Sequence, residues 1–234
     1  PKFVGAGAVV VDNTSFWRMH EDVPLVVAGV NSEAAQHHKG IVANPNCTTM
    51  VMMMALAPLH HAAGLERLVV STYQAVSGTG NKAIAELEEQ SSRVLAGEPI
   101  DDPKVYPHRI AFNVIPQVET FKDGDDYTTE ERKVMAETRK ILGFGDEVGI
   151  SATCARVPVV SGHSESINIQ TREDLSPDRA REILGQVSGV IVVDDPSNGE
   201  YPMAIDGAGR DEVLVGRIRR DPSQERCLNL WLVG

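Results

Sequence analysis

Asn44-Pro45-Asn46-Cys47-Thr48 stands just before an apolar segment, Met50 to Ala63, that reads as a helix. Thr48, Thr49 and the proline beside Asn46 suit a chain turning into that helix. A helix start presents unpaired backbone N–H groups and the positive end of the helix dipole. A thiol placed there is expected to shift toward thiolate, the form that attacks. Covalent catalysis by Cys47 is therefore the first expectation. The plain alternative is a small apolar residue in a core. A base and anion-binding groups elsewhere in the chain would favour the first.

His163 is the candidate base. It lies in Ser161-Gly162-His163-Ser164, a break of small residues between two strand patterns, and these neighbours are expected to leave its ring accessible. His37-His38 and His60-His61 read as solvated histidines. Arg156, on the strand leading into the same break, offers a fork suited to a carboxylate, a strand-edge ion pair being its ordinary reading. Gln74, at the end of the Leu68–Val76 pattern, is placed to hydrogen-bond a carbonyl or thioester. Arg18, Asn46 and Lys133 could gather into an anion site, although spacing does not show that they meet. Glu130 and Lys133 form an i,i+3 pair, by default a solvated feature. Ser77-Gly78-Thr79-Gly80 allows a close approach of backbone to ligand, but no GxGxxG fingerprint occurs.

The elements that position these residues follow from hydrophobic patterning. Ala8–Val11, Leu25–Val30 and Ile41–Ala43 are short apolar runs expected as buried parallel strands. In such sheets ligands gather at the carboxyl ends of strands, and Arg18 and Cys47 follow two of these ends. Leu68–Val76 reads as a strand, Lys82–Ala96 as a helix and Ala111–Val118 as a strand. Thr128 and Glu131 are spaced as a capping box opening a helix to about Leu142, ended by Gly143-Phe144-Gly145. Strands are expected at Ile150–Val160, Ser164–Gln170, Val190–Asp194, Val213–Arg219 and Leu228–Val233. A helix over Ser176–Gln186 carries Pro177 at its first position. Strand–helix alternation thus gives way to runs of strands: the end of an α/β parallel sheet, residues 1–44, joined to a larger α+β domain with a mostly antiparallel or mixed sheet, residues 45–234.

At 234 residues the chain can bury a full core. Its net charge of −11 argues against nucleic acid or an anionic membrane as the main partner. The three cysteines, Cys47, Cys154 and Cys227, are odd in number and widely spaced, so neither a disulfide framework nor a zinc pattern is expected. A reducing cytoplasm fits that usage. Met50–Leu59 is too short to span a bilayer and contains Pro58. The chain enters a strand pattern almost at once and stops just after another, which reads as a piece of a longer protein.

Several motifs in order resemble one family. They are Val11-Asp12-Asn13-Thr14-Ser15 through Arg18-Met19, Asp22-Val23-Pro24-Leu25-Val26 with Val30-Asn31, and Asn44-Pro45-Asn46-Cys47-Thr48-Thr49. Tyr73-Gln74-Ala75-Val76-Ser77-Gly78 and Arg156-Val157-Pro158 through Gly162-His163-Ser164 complete the set. The chain resembles aspartate-semialdehyde dehydrogenase over essentially its whole length. The resemblance implies that residues 1–44 are the remnant of a dinucleotide-binding domain and residues 45–234 a catalytic and dimerisation domain. It implies reductive dephosphorylation of L-aspartyl 4-phosphate by NADPH, without metal, in cytoplasmic lysine, threonine and methionine biosynthesis. Cys47 would be the nucleophile and His163 the general acid/base. Gln74 would orient the thioacyl group, and Arg156 and Glu130 (or its neighbour Glu131) would hold the aspartyl carboxylate and amine. Arg18, Asn46 and Lys133 would bind phosphate, and Ser77 and Gly78 would touch NADP. A homodimer or dimer of dimers is implied. The family's Gly-rich nucleotide segment and its late Asn-containing helical segment are missing, so this length is expected to keep acyl transfer and to lack tight cofactor binding. The rivals are an N-acetyl-glutamyl-phosphate reductase, whose cysteine typically follows Gly and precedes an aromatic, and a truncated dimerisation domain without turnover.

Overall fold

The computed structural model describes residues 2–234. A helical turn, α1 (Lys2–Gly5), leads into β1 (Val10–Asp12), which pairs in parallel with β2 (Ile41–Ala43). Leu25–Val30 is not a strand: only Leu25 makes a bridge, to Ala43, and the chain then turns, held by Asn31, whose side chain donates to the Leu25 carbonyl and accepts from the Val27 amide. The Ile41–Ala43 strand stands where the sequence places it.

The remaining elements are α2 (Cys47–Ala63), β3 (Leu65–Gln74), α3 (Asn81–Ala96), α4 (Thr129–Leu142), β4 (Gly149–Arg156) and β5 (Ser164–Thr171). They continue with α5 (Pro177–Gly185), β6 (Val190–Val192), α6 (Ala204–Gly207), β7 (Val213–Arg220) and β8 (Cys227–Val233). The strands from β3 onward form one mixed six-stranded sheet in the order β4-β3-β5-β8-β7-β6. β3 runs parallel to β4 and antiparallel to β5, β5 and β7 each run antiparallel to β8, and β6 is parallel to β7. The architecture is a small parallel sheet joined to a larger mixed α+β unit, as expected.

Alternation along the strands decides which face is covered. Leu68, Val70, Ile167, Ile169, Leu228, Leu230 and Leu232 pack with Met52, Met53, Leu56 and Leu59 of α2 in the main core. Helices α2, α4 and α5 lie on that face. The opposite face carries Ser71, Tyr73, Ser166, Asn168, Asn229 and Trp231, partly or largely open.

Ala111–Val118 also departs from expectation. It is irregular, touching the sheet only where Ile115 bridges Arg156. Ile110, Ala111 and Ile115 instead join Val76, Ala83 and Leu87 in a second, smaller core beneath α3, so their apolar character serves packing there. The capping box of α4 is present: Thr128 Oγ1 accepts from the Glu131 amide and Glu131 Oε2 accepts from the Thr128 amide. Among the described residues no helix is long and apolar enough to cross a membrane, and no cluster of three or more His, Cys, Asp or Glu is placed to hold a metal.

Candidate active site

Three neighbouring strand ends build the floor of the site. Parallel register sets Gln74, the last residue of β3, beside Arg156, the last of β4. The antiparallel neighbour β5 begins at Ser164 opposite Tyr73, which puts His163 next to the same corner. The loops leaving β3 and β4 are joined by amides of Val76 and Ser77 on the carbonyls of Val159 and Val160. Gly162 takes φ +86°, and a Cβ there would stand 2.6 Å from the Ala204 carbonyl oxygen, so only glycine lets the chain turn tightly into His163.

Cys47 opens α2 above this floor. Asn46 is the N-cap: its Oδ1 accepts from the Thr48 amide at 3.0 Å and from Thr48 Oγ1 at 2.6 Å. Its Nδ2 donates to Glu130 Oε1 at 3.0 Å, and Gln74 Nε2 donates to the same oxygen at 3.0 Å. Glu130 thus ties the helix carrying the cysteine to the end of β3. Glu131 turns away into the capping box and accepts from the Cys154 amide.

A cavity of about 690 Å³ is lined by Cys47, Gln74, Glu130, Arg156 and His163, and also by Arg18, Asn46 and Lys133. The three groups whose meeting spacing leaves open therefore do meet. Gly78 lines it too, while Ser77 borders an adjoining cleft that shares Cys47, Gly78 and His163. Arg156 is buried, its Nη1 on the Ala75 carbonyl at 2.6 Å and its guanidinium 5.8 Å from the centre of the Tyr106 ring. Its Nε has no partner. Arg18 is equally buried but pairs with Glu137 at 3.0 Å. Lys133 pairs with Glu119 and, at 3.4 Å, with Glu130.

Three expectations need correction. Glu130 and Lys133 are not a solvated pair: Glu130 is 3 % exposed and faces the cavity. The His163 ring is not open, for it is 7 % exposed, and burial followed by the nearby Arg156 pushes its pKa down to about 4. Cys47 is not a resting thiolate. Its side chain is open to the cavity, yet protein crowds it on the other sides; that burial, then Glu130, pushes the thiol up to about 11. The amide of Thr48 opposes the shift and does not overcome it. The helix N-terminus acts here against a nearby carboxylate that sequence proximity does not disclose.

Sequence reasoning missed four groups. Glu137 Oε1 holds Arg18 and Oε2 accepts from the Asn46 amide at 2.7 Å. Lys140 donates to the carbonyls of Arg18, His20 and Val23, fixing the Arg18 loop to α4. Glu119 braces Lys133. Glu165 is fully buried with neither oxygen partnered, and burial pushes its pKa well up. The available signal was spacing: Glu130, Lys133, Glu137 and Lys140 recur at steps of three and four, one face of α4. Alternating charge on a helix face usually means solvent, and here it means the site.

The pattern of the family "Semialdehyde dehydrogenase, dimerisation domain" matches residues 56–234, and that of "Semialdehyde dehydrogenase, NAD binding domain" matches residues 1–38. The aspartate-semialdehyde dehydrogenase of Aquifex aeolicus is 51 % identical over 235 residues, covering 100 % of this chain and 68 % of that protein. The chain belongs to the aspartate-semialdehyde dehydrogenase family. The Legionella pneumophila enzyme is 48 % identical, covering 100 % of this chain and 67 % of its own length. The solved structure of aspartate semialdehyde dehydrogenase II from Vibrio cholerae superposes with a TM-score of 0.94 at 41 % identity, covering 99 % of this chain and 68 % of that one.

Proposed function

We propose that the chain performs its family's chemistry: NADPH-dependent reductive dephosphorylation of L-aspartyl 4-phosphate to L-aspartate 4-semialdehyde, through an acyl thioester on Cys47. The observation that carries this is one cavity lined by a cysteine heading a helix, by Arg156, buried and held by a carbonyl rather than a carboxylate, and by two further cations, Arg18 and Lys133. A Vibrio cholerae relative has been solved "complexed with ASA" and a Candida albicans relative "with NADP".

In this reading the Arg156 guanidinium binds the aspartyl α-carboxylate as a charge-assisted fork. Glu130 takes the amine, and its hold on Gln74 aims that amide at the thioacyl carbonyl. Arg18, Lys133 and Asn46 receive the phosphate. Cys47 attacks the acyl carbon and phosphate departs. His163 acts at the reacting oxygen. The adjoining cleft of about 1050 Å³ passes Ser77, Gly78 and Gly189, small residues that leave room for a flat ring beside the cysteine. NADPH bound there supplies hydride. We also take residues 1–44 as belonging to the nucleotide domain and residues 45–234 as the catalytic and dimerising part. The open sheet face, with Tyr73 and Trp231 rings 5.3 Å apart, receives a second copy. The product would feed lysine, threonine and methionine synthesis in the cytoplasm.

Phosphate release tests the reading. Mixing the chain with L-aspartyl 4-phosphate, without nicotinamide, is expected to release a burst of phosphate close to one per chain. Cys47→Ala loses the burst and Cys154→Ala keeps it. Equal loss in both variants would contradict the role of Cys47.

A further inference from the structure

The main-chain N–H of Ala75 points at the His163 ring and donates to Nδ1 across 3.0 Å in a buried setting. A backbone amide can only donate. Nδ1 therefore presents its lone pair, and the proton of the neutral ring sits on Nε2. The groups around the ring favour that neutral form. Arg156 from β4 acts against a second proton, Glu130 from α4 acts for one, and Cys47 from α2 shares the cavity. Burial and the arginine outweigh the glutamate. On the Nε2 side stands Gly78, where a Cβ would come within 3.3 Å of Nε2 and 3.2 Å of Cε1.

We infer that the Ala75 amide locks His163 in its Nε2–H tautomer, so that His163 serves acylation as a neutral hydrogen-bond donor to the substrate carbonyl oxygen and not as the base that takes the Cys47 proton. This rests on the acyl-phosphate reading above. Atoms and charges balance without a proton on Nδ1. The thiol proton passes to a phosphate oxygen of the substrate as the Cys47 sulfur bonds to the acyl carbon, and the carbonyl electron pair moves onto oxygen, where Nε2–H holds it. The pair returns as the bond from carbon to the phosphate oxygen breaks, and the thiol proton leaves on the phosphate. An imidazole kept neutral by its surroundings is suited to polarising a carbonyl. Ala75 is then a positioning residue that acts through its main chain.

Long-range ¹H–¹⁵N correlation on the chain labelled at histidine nitrogen reads the tautomer directly, with His163 assigned by the signal lost in His163→Asn. The expected result is an acceptor-type Nδ1 and a protonated Nε2, unchanged through the range around 6.5 where a free histidine titrates. A protonated Nδ1, or titration at the ordinary value, overturns the inference. Ala75→Pro removes the donor at a position whose φ of −67° is already proline's. It is expected to abolish the single tautomer, while burial and Arg156 still hold the ring neutral; persistence of the Nε2–H signature in that variant overturns the role of the amide. If that variant does not fold, the spectrum of the unchanged protein decides. Acylation of Cys47 is measured separately, by mass. Acylation without the signature overturns this inference alone. The signature without acylation overturns the acyl-phosphate reading and the donor role with it.

Discussion

Two buried arginines face the same cavity and are held in opposite ways. Arg18 pairs with the buried carboxylate of Glu137, which is 1 % exposed and also anchors the Asn46 amide. Arg156 makes no salt bridge among the described residues; a carbonyl and an aromatic face are its protein partners, and its Nε, like that of Arg18, has no partner. A buried cation without a counter-ion is costly, so one persists where a ligand supplies the missing charge. The Arg18 end is neutralised in advance by Glu137, and Lys133 by Glu119 and Glu130. That difference suits a carboxylate that stays bound through the reaction and a phosphate that must leave.

Arg156→Lys should have the largest effect among changes to this pair. A lysine keeps charge but loses the fork, and hydrogen bonds to charged groups are each worth about 1.5–3 kcal/mol, so kcat/KM should fall by about 10- to 100-fold per bond lost. Stability, followed by denaturant titration, should change little. Glu137→Gln should do the reverse. It breaks a buried pair, and about 3 kcal/mol of folding stability should be lost. A Glu137→Gln chain as stable as the parent would remove the contrast between the two arginines. Gly78→Ala is milder: the new Cβ would meet Arg156 Nη1 at 3.4 Å and His163 Cε1 at 3.2 Å. A shift of a few tenths of an ångström there should cost about tenfold or less in acylation rate and leave phosphate affinity intact.

The smallest effect concerns Glu165, a buried carboxyl with no cation at all. Its folded pKa is raised, so its contribution to stability is complete below the unfolded value of about 4.3 and fades as pH rises through the folded one. Glu165→Gln should flatten the decline of Tm with rising pH. An unchanged slope would mean the carboxyl is not what titrates.

Local signals were legible in the chain and distant ones were not. The box at Thr128 and Glu131, the stop at Gly143 and the strand at Ile41–Ala43 depend on neighbours in sequence, and they stand. Leu25–Val30 and Ala111–Val118 are segments of strand length whose residues pack without laddering; Gly29 and Pro116 within them were the local signals against a strand. Cys47 was readable as the head of a helix through Asn46. Its protonation was not, because the opposing Glu130 meets Asn46 across 84 residues of sequence. Glu137 reads as an ordinary helical glutamate until Arg18, 119 residues away, is folded against it.

Cys47 is proposed as the nucleophile of a site that acylates before any nicotinamide is needed. Intact-protein mass after mixing the chain with L-aspartyl 4-phosphate tests it most directly. A gain of one aspartyl group is expected, lost in Cys47→Ala and kept in Cys154→Ala and Cys227→Ala. A folded chain that gains no mass, or gains it equally without Cys47, would contradict it.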